Sequence, residues 1–143
     1  MSMKIEKSRS DEVQAFADSI LNGFQEPTMV ADTDGRIINI NDQAAELYGV
    51  TESEALGSEP NSLQGDGTEA YDIVREALEK KEDIQQREEK IVAGKSDTPV
   101  ERTATVLYDS DGDFSGVMLI EKDVTEKRRQ RKKKQALDDT KAP

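Results

Sequence analysis

The run Gly116-Val117-Met118-Leu119-Ile120-Glu121-Lys122-Asp123-Val124-Thr125-Glu126-Lys127-Arg128 decides how this chain is read. Gly116 to Ile120 is apolar and free of turn residues, as expected of a strand covered on at least one side. Asp123-Val124-Thr125 breaks that run, and from Glu126 the chain becomes charged and helix-forming. Thr125 carries an oxygen suited to capping the new helix, and Asp123 is placed to fix its exit direction. The last strand therefore leads straight into a helix.

A second stretch lies near the front. Pro27-Thr28-Met29-Val30-Ala31-Asp32-Thr33-Asp34-Gly35-Arg36-Ile37-Ile38-Asn39-Ile40-Asn41 gives two short β-rich runs around Asp34-Gly35, a dipeptide suited to a tight hairpin. Asn41 or Asp42 can cap a short helix that Gly49 ends. Thr51-Glu52-Ser53-Glu54 is a capping box for another, stopped by Gly57. The two stretches together resemble the opening and the close of a PAS domain, a small sensory α/β module whose final strand ends in Asp-Ile/Val-Thr. The likeness extends to PAS domains of sensory transducers and signalling kinases of halophilic archaea. It implies an α+β fold: a five-stranded antiparallel sheet with short helices and one longer helix packed on one face, plus an N-terminal flanking helix. It also implies that Asp123 and Thr125 relay a signal into whatever follows.

Composition sets firm bounds. The chain has 143 residues, 34% hydrophobic and 36% charged, enough for one modest core and its tails. Residues 1–26 read as an N-terminal flanking helix, 27–125 as the domain, and 126–143 as a basic linker helix or disordered tail. No apolar run approaches the roughly 18–20 residues that span a bilayer, and no secretory signal is visible, so a cytoplasmic protein is expected. Cysteine and histidine are both absent. That excludes disulfides, thiolate nucleophiles, zinc–thiolate sites and any Ser-His-Asp or Cys-His catalytic apparatus. No enzyme is expected.

Charge is unevenly spread. Residues 126–143 hold 8 Lys/Arg against 3 Asp/Glu, a net of +5 within a total of −11, which leaves −16 on residues 1–125. So acidic a body repels nucleic acid and anionic membrane, and neither partner is expected. It also resembles proteins of salt-adapted microbes, in which concentrated cations screen self-repulsion. The basic run Arg128 to Lys134 lacks interleaved aromatic residues and reads as a solvated linker.

Val13, Phe16, Ala17, Ile20, Leu21 and Phe24 form an apolar stripe at helical spacing from Asp11 onward. Periodicity leaves two readings open: cover for the domain's own core, or a dimer contact through Val13, Phe16, Ile20 and Phe24. Thr68 is expected to cap a helix running to about Lys81, with Ala70, Ile73, Val74, Ala77 and Leu78 inward. Residues 84–93 and 99–108 read as paired strands, the second alternating Val100, Arg102, Ala104, Val106 and Tyr108 on one face.

Asp32-Thr33-Asp34-Gly35 and Asp109-Ser110-Asp111-Gly112-Asp113 look superficially like calcium loops. A calcium-binding helix-loop-helix needs glycine sixth and a bidentate glutamate twelfth, so these read as hairpin turns and no metal site is expected. A response-regulator receiver would need alternating parallel strands and helices, which this order of elements does not give. Gly57 to Gly65 is similar to the connector of the flavin-binding light-oxygen-voltage branch of the PAS family. There the photoactive cysteine falls at Pro60, the phosphate-contacting arginine at Asn61, and the last-strand glutamine at Met118. A photoactive flavin adduct is thereby excluded and tight flavin binding is not expected. Haem would need an axial histidine and is not expected either.

What the resemblance leaves is a space for an unidentified small apolar or aromatic ligand, or a space filled by the protein's own side chains. Candidate lining residues are Met29, Ile38, Ile40, Leu47, Tyr48, Leu56, Ile73, Val74, Leu78, Val106, Met118 and Ile120. Core packing accounts for most of them. Tyr48, with a polar handle on an aromatic body, and adaptable Met118 stand out. The expected function is a sensory domain that binds a small ligand or partner and relays a change to a downstream signalling domain of the same chain. The alternative is a ligand-free dimerisation or protein-interaction module; a homodimer fits both.

Overall fold

Alternation along the last strand puts Val117, Leu119 and Glu121 on one side, and that side is the buried one. The structure, a computed structural model, describes residues 17, 19–63, 72–93 and 96–141. In chain order the elements are β1 (Thr28–Ala31), β2 (Ile37–Ile40), α1 (Asp42–Tyr48) and α2 (Glu52–Ala55), then a 3₁₀ turn at Pro60–Leu63 and α3 (Ile73–Lys80). β3 (Ile84–Ala93), β4 (Ser96–Tyr108), β5 (Phe114–Asp123) and α4 (Thr125–Lys141) complete them. The five strands form one antiparallel sheet in the order β2-β1-β5-β4-β3. The first and last strands thus lie side by side in its middle, and β5 is paired along both edges.

Register builds the inner face row by row. Met29 is opposite both Ile40 and Leu119, Ala31 is opposite Val117, and Ala104 is opposite Leu119. Ile73, Val74, Ala77 and Leu78 of α3 and Ala44 and Tyr48 of α1 pack over these rows to close the core. Gly116 opens β5 where two backbones nearly touch: a Cβ built there would lie 2.2 Å from the Ala31 carbonyl oxygen. Only a residue without a side chain fits between β1 and β5 at that point.

Asn41, not Asp42, caps α1. Its Oδ1 accepts from the Ala44 N–H and also from the Thr28 N–H, each at 2.9 Å. Its Nδ2 donates to the carbonyls of Leu21 (3.1 Å) and Glu26 (2.9 Å). One buried amide thus ties the N-terminal segment, β1 and α1 together, with both acceptor sites and both donors in use.

Three sequence expectations are corrected. α3 starts at Ile73 rather than near Thr68, because the Asp72 carboxylate accepts from the Arg75 N–H at 2.9 Å and sets the helix start there. Thr68 and Ala70 lie outside the described residues. The first hairpin is a five-residue turn rather than a two-residue Asp-Gly one. Asp32 Oδ1 accepts from the N–H groups of Asp34 (2.9 Å) and Arg36 (3.0 Å), and Asp109 repeats this with Asp111 and Asp113. These aspartates serve as turn acceptors. Tyr108 leaves the inner face: a register shift between Leu107 and Tyr108 turns it outward to 59% exposure, edge-on to Phe114 with ring centroids 6.4 Å apart.

Candidate functional site

Arg102 and Glu121 face each other across β4 and β5 in the same inner row, beneath the end of α1. Both are removed from solvent, at 1% and 0% exposure, and Arg102 Nε lies 3.4 Å from Glu121 Oε2. Tyr48, the last residue of α1, donates its hydroxyl to Glu121 Oε1 at 2.5 Å. The result is a polar cluster of three side chains inside an apolar core. Burial is the first cause holding the Tyr48 phenol well above the ordinary tyrosine range. The neighbouring Glu121 charge adds to it, and Arg102 works the other way. Tyr48 is therefore a fixed donor at any physiological pH.

Beyond Glu121 the strand makes its exit. Val124 is buried and its N–H donates to the Pro99 carbonyl at 3.0 Å. Asp123 Oδ1 accepts from the Thr125 N–H at 2.9 Å and from the Thr125 hydroxyl at 2.6 Å. Asp123 thus supplies the oxygen for the first helical N–H, and the Thr125 hydroxyl donates to the same carboxylate. Exit geometry is set by one carboxylate holding two groups of the same residue.

The candidate lining residues divide into three groups. Met29, Ile40, Tyr48, Ile73, Val74 and Leu78 meet in the core between sheet and helices, with Leu47 and Val106 half-buried against them. Ile38 and Leu56 are corrected to solvent positions, at 42% and 40% exposure. Met118 and Ile120 are corrected to the opposite face of the sheet, because they alternate with Val117, Leu119 and Glu121. There Ile120 forms part of a groove of about 440 Å³ with Gly23, Phe24, Gln25, Glu26 and Thr28. Of the stripe at the front, Ile20 and Phe24 are exposed while Leu21 is buried. Val13 and Phe16 lie outside the described residues.

Arg102 and Glu121 were not among the candidate site residues. A signal existed in the sequence for Arg102, a charged residue among the apolar positions of an alternating strand, whereas Glu121 follows a run without alternation. Nothing local to either strand shows that the two meet. Among the described residues no group of three or more Asp or Glu side chains could hold a metal ion, and no helix is long and apolar enough to cross a membrane.

The sequence model of a family described as the PAS fold matches residues 21–129. The structure is similar to the PAS domain of BvgS from Bordetella pertussis, with a TM-score of 0.65 at 22% identity over 91% of this chain and 98% of that one. It is similar to the PAS domain of a protein from Colwellia psychrerythraea, with a TM-score of 0.61 at 22% identity over 85% and 98%. An RNA-binding light-oxygen-voltage receptor gives a TM-score of 0.69 at 15% identity, over 87% of this chain and 37% of the receptor. At these identities the likeness is one of fold. No curated protein matches the sequence.

Proposed function

The chain belongs to the PAS-fold family, and from that premise we propose that it is a relay module, passing a change in helix–sheet packing out through Asp123-Val124-Thr125. Domains of this family are in general sensory or signalling modules without catalysis of their own. The observation that carries the proposal is the continuity of β5. Its inner face holds Glu121 beneath α1, and the strand then runs without interruption into the turn that starts α4. A ligand or partner that favours one packing of α1 and α3 on the sheet biases the direction of α4 by the same free energy.

The test is a fusion of the chain to a helical output domain. Asp123→Ala removes the acceptor for both Thr125 groups, and Thr125→Ala removes one donor. Loss of a cap of this kind costs about 1 kcal/mol, which a folded domain survives. Stimulus-dependent output should fall at least about fivefold in Asp123→Ala, and less in Thr125→Ala, with stability changed little. Full output in both variants sinks the relay.

A second reading, a homodimer, is favoured by the exposed Ile20 and Phe24 beside the groove on the outer sheet face. Native mass spectrometry of the purified chain, compared with denaturing conditions, reads subunit count and any retained small molecule together. A doubled mass supports the dimer; a monomer at tens of micromolar removes it. The charge of −16 on residues 1–125 supports a cytoplasmic setting in a salt-adapted cell, such as that of a halophilic archaeon.

A further inference from the structure

The geometry points to Tyr48, Glu121 and Arg102 as an internal latch that couples the two helices flanking the domain. The inference rests on the relay reading in one respect: α4 is taken as the way out. α1 is a short rod held at both ends by polar contacts. At its N-terminal end Asn41 grips the carbonyls of Leu21 and Glu26, where the N-terminal segment comes in. At its C-terminal end Tyr48 grips Glu121, two residues before the turn acceptor Asp123. A rotation of the N-terminal segment is therefore felt at Asn41, carried by α1 to Tyr48, and delivered to β5 at Glu121.

The chemistry suits a two-state element. In the closed state seen here Glu121 accepts from Tyr48 and faces Arg102. If α1 lifts, the Tyr48 bond breaks but Arg102 stays on the neighbouring strand in the same row, so the carboxylate is not left without a counter-charge. Apolar packing alone would yield gradually as α1 moved. A short, oriented hydrogen bond in a dry core is either made or lost. Tyr48 and Arg102 are positioning residues in this scheme, and Glu121 is the point at which displacement enters the strand.

The test is amide hydrogen exchange on the full 143-residue chain, with no output domain attached. Tyr48→Phe keeps the ring and removes the hydroxyl. Exchange at Val124 and Thr125, whose N–H groups report the exit, should quicken about tenfold more than at Ile37 and Gly57, which bond at the far edge of the sheet. Equal acceleration at both pairs, or none at either, overturns the latch, because a merely structural tyrosine would loosen the domain evenly. Should Tyr48→Phe fail to fold, Glu121→Gln keeps the shape, removes the charge facing Arg102, and is judged by the same ratio. The relay reading fails separately: selective exchange together with full output in both the Asp123→Ala and Thr125→Ala fusions would leave the latch standing and the relay refuted.

Discussion

Gly116→Ala is expected to cost about 3 kcal/mol or more, against the 1–3 kcal/mol typical of overpacking. The added Cβ would lie 2.2 Å from the Ala31 carbonyl oxygen, 3.3 Å from its carbon and 3.5 Å from Asp32 Cα. All three are backbone atoms, so no rotamer change relieves the clash; β1 and β5 must separate. Both lie at the middle of the sheet, and β5 also pairs with β4 at Leu107↔Gly116, so separation on one side strains the other. The backbone adds its own cost, since φ is 156° at Gly116. Thermal or urea unfolding measures the loss, and a domain of this size should lose roughly 10–20 °C in midpoint. Gly112→Ala is the control. Its φ is 83° but nothing lies within 4 Å of the new Cβ, so about 1–2 kcal/mol of backbone strain is all it should show. If the two variants melt alike, the close approach of β1 and β5 is wrong.

The same strand shows what the sequence could and could not reveal. The apolar run from Val117 to Ile120 announces a strand, and Asp123-Val124-Thr125 announces its end. Which alternate residues face the helices is not in the run, because Val117 and Leu119 are no more apolar than Met118 and Ile120. Burial of the odd set is decided by pairing with Met29 and Ala31, almost ninety residues away. That is why Met118 and Ile120 read as lining residues and prove to lie on the outer face. Ile38 fails for the same reason on a strand only four residues long. The capping residues were legible because their chemistry is local: Asn41 reaches three residues ahead and Thr51 pairs with Glu54. Asp72 shows the limit of that: a carboxylate one residue before Ile73 caps the helix, and local chemistry does not single it out among the polar residues of that stretch. Arg102 and Glu121 are the costliest omission. Arg102 is a charged residue at an apolar position, a conflict that local reading records, whereas Glu121 closes a run without alternation and only the β4–β5 register places it inward.

Removing one partner of that pair should be the most damaging single change in the core. In Glu121→Met the Arg102 guanidinium, at 1% exposure, loses the carboxylate it faces, and the Tyr48 hydroxyl loses the acceptor it reaches at 2.5 Å. Breaking a buried pair in this way costs about 3–5 kcal/mol, because the remaining charge stays desolvated. The loss is not the worth of the pair. Two ions were taken out of water to make it, and their attraction offsets that penalty only in part. The double variant Arg102→Met/Glu121→Met removes both charges and fills similar volume, so the share of the loss due to the stranded charge should return, while the Tyr48 hydroxyl still lacks its Glu121 acceptor. Urea unfolding of the wild type, both single variants and the double gives the cycle, with a coupling of at least about 2 kcal/mol expected. A near-additive cycle would show that the two side chains do not meet in solution. A double variant as stable as the wild type would mean that the pair contributes little net stability. What it would supply instead is a defined polar arrangement between α1 and β5, the property that a relay through this strand requires.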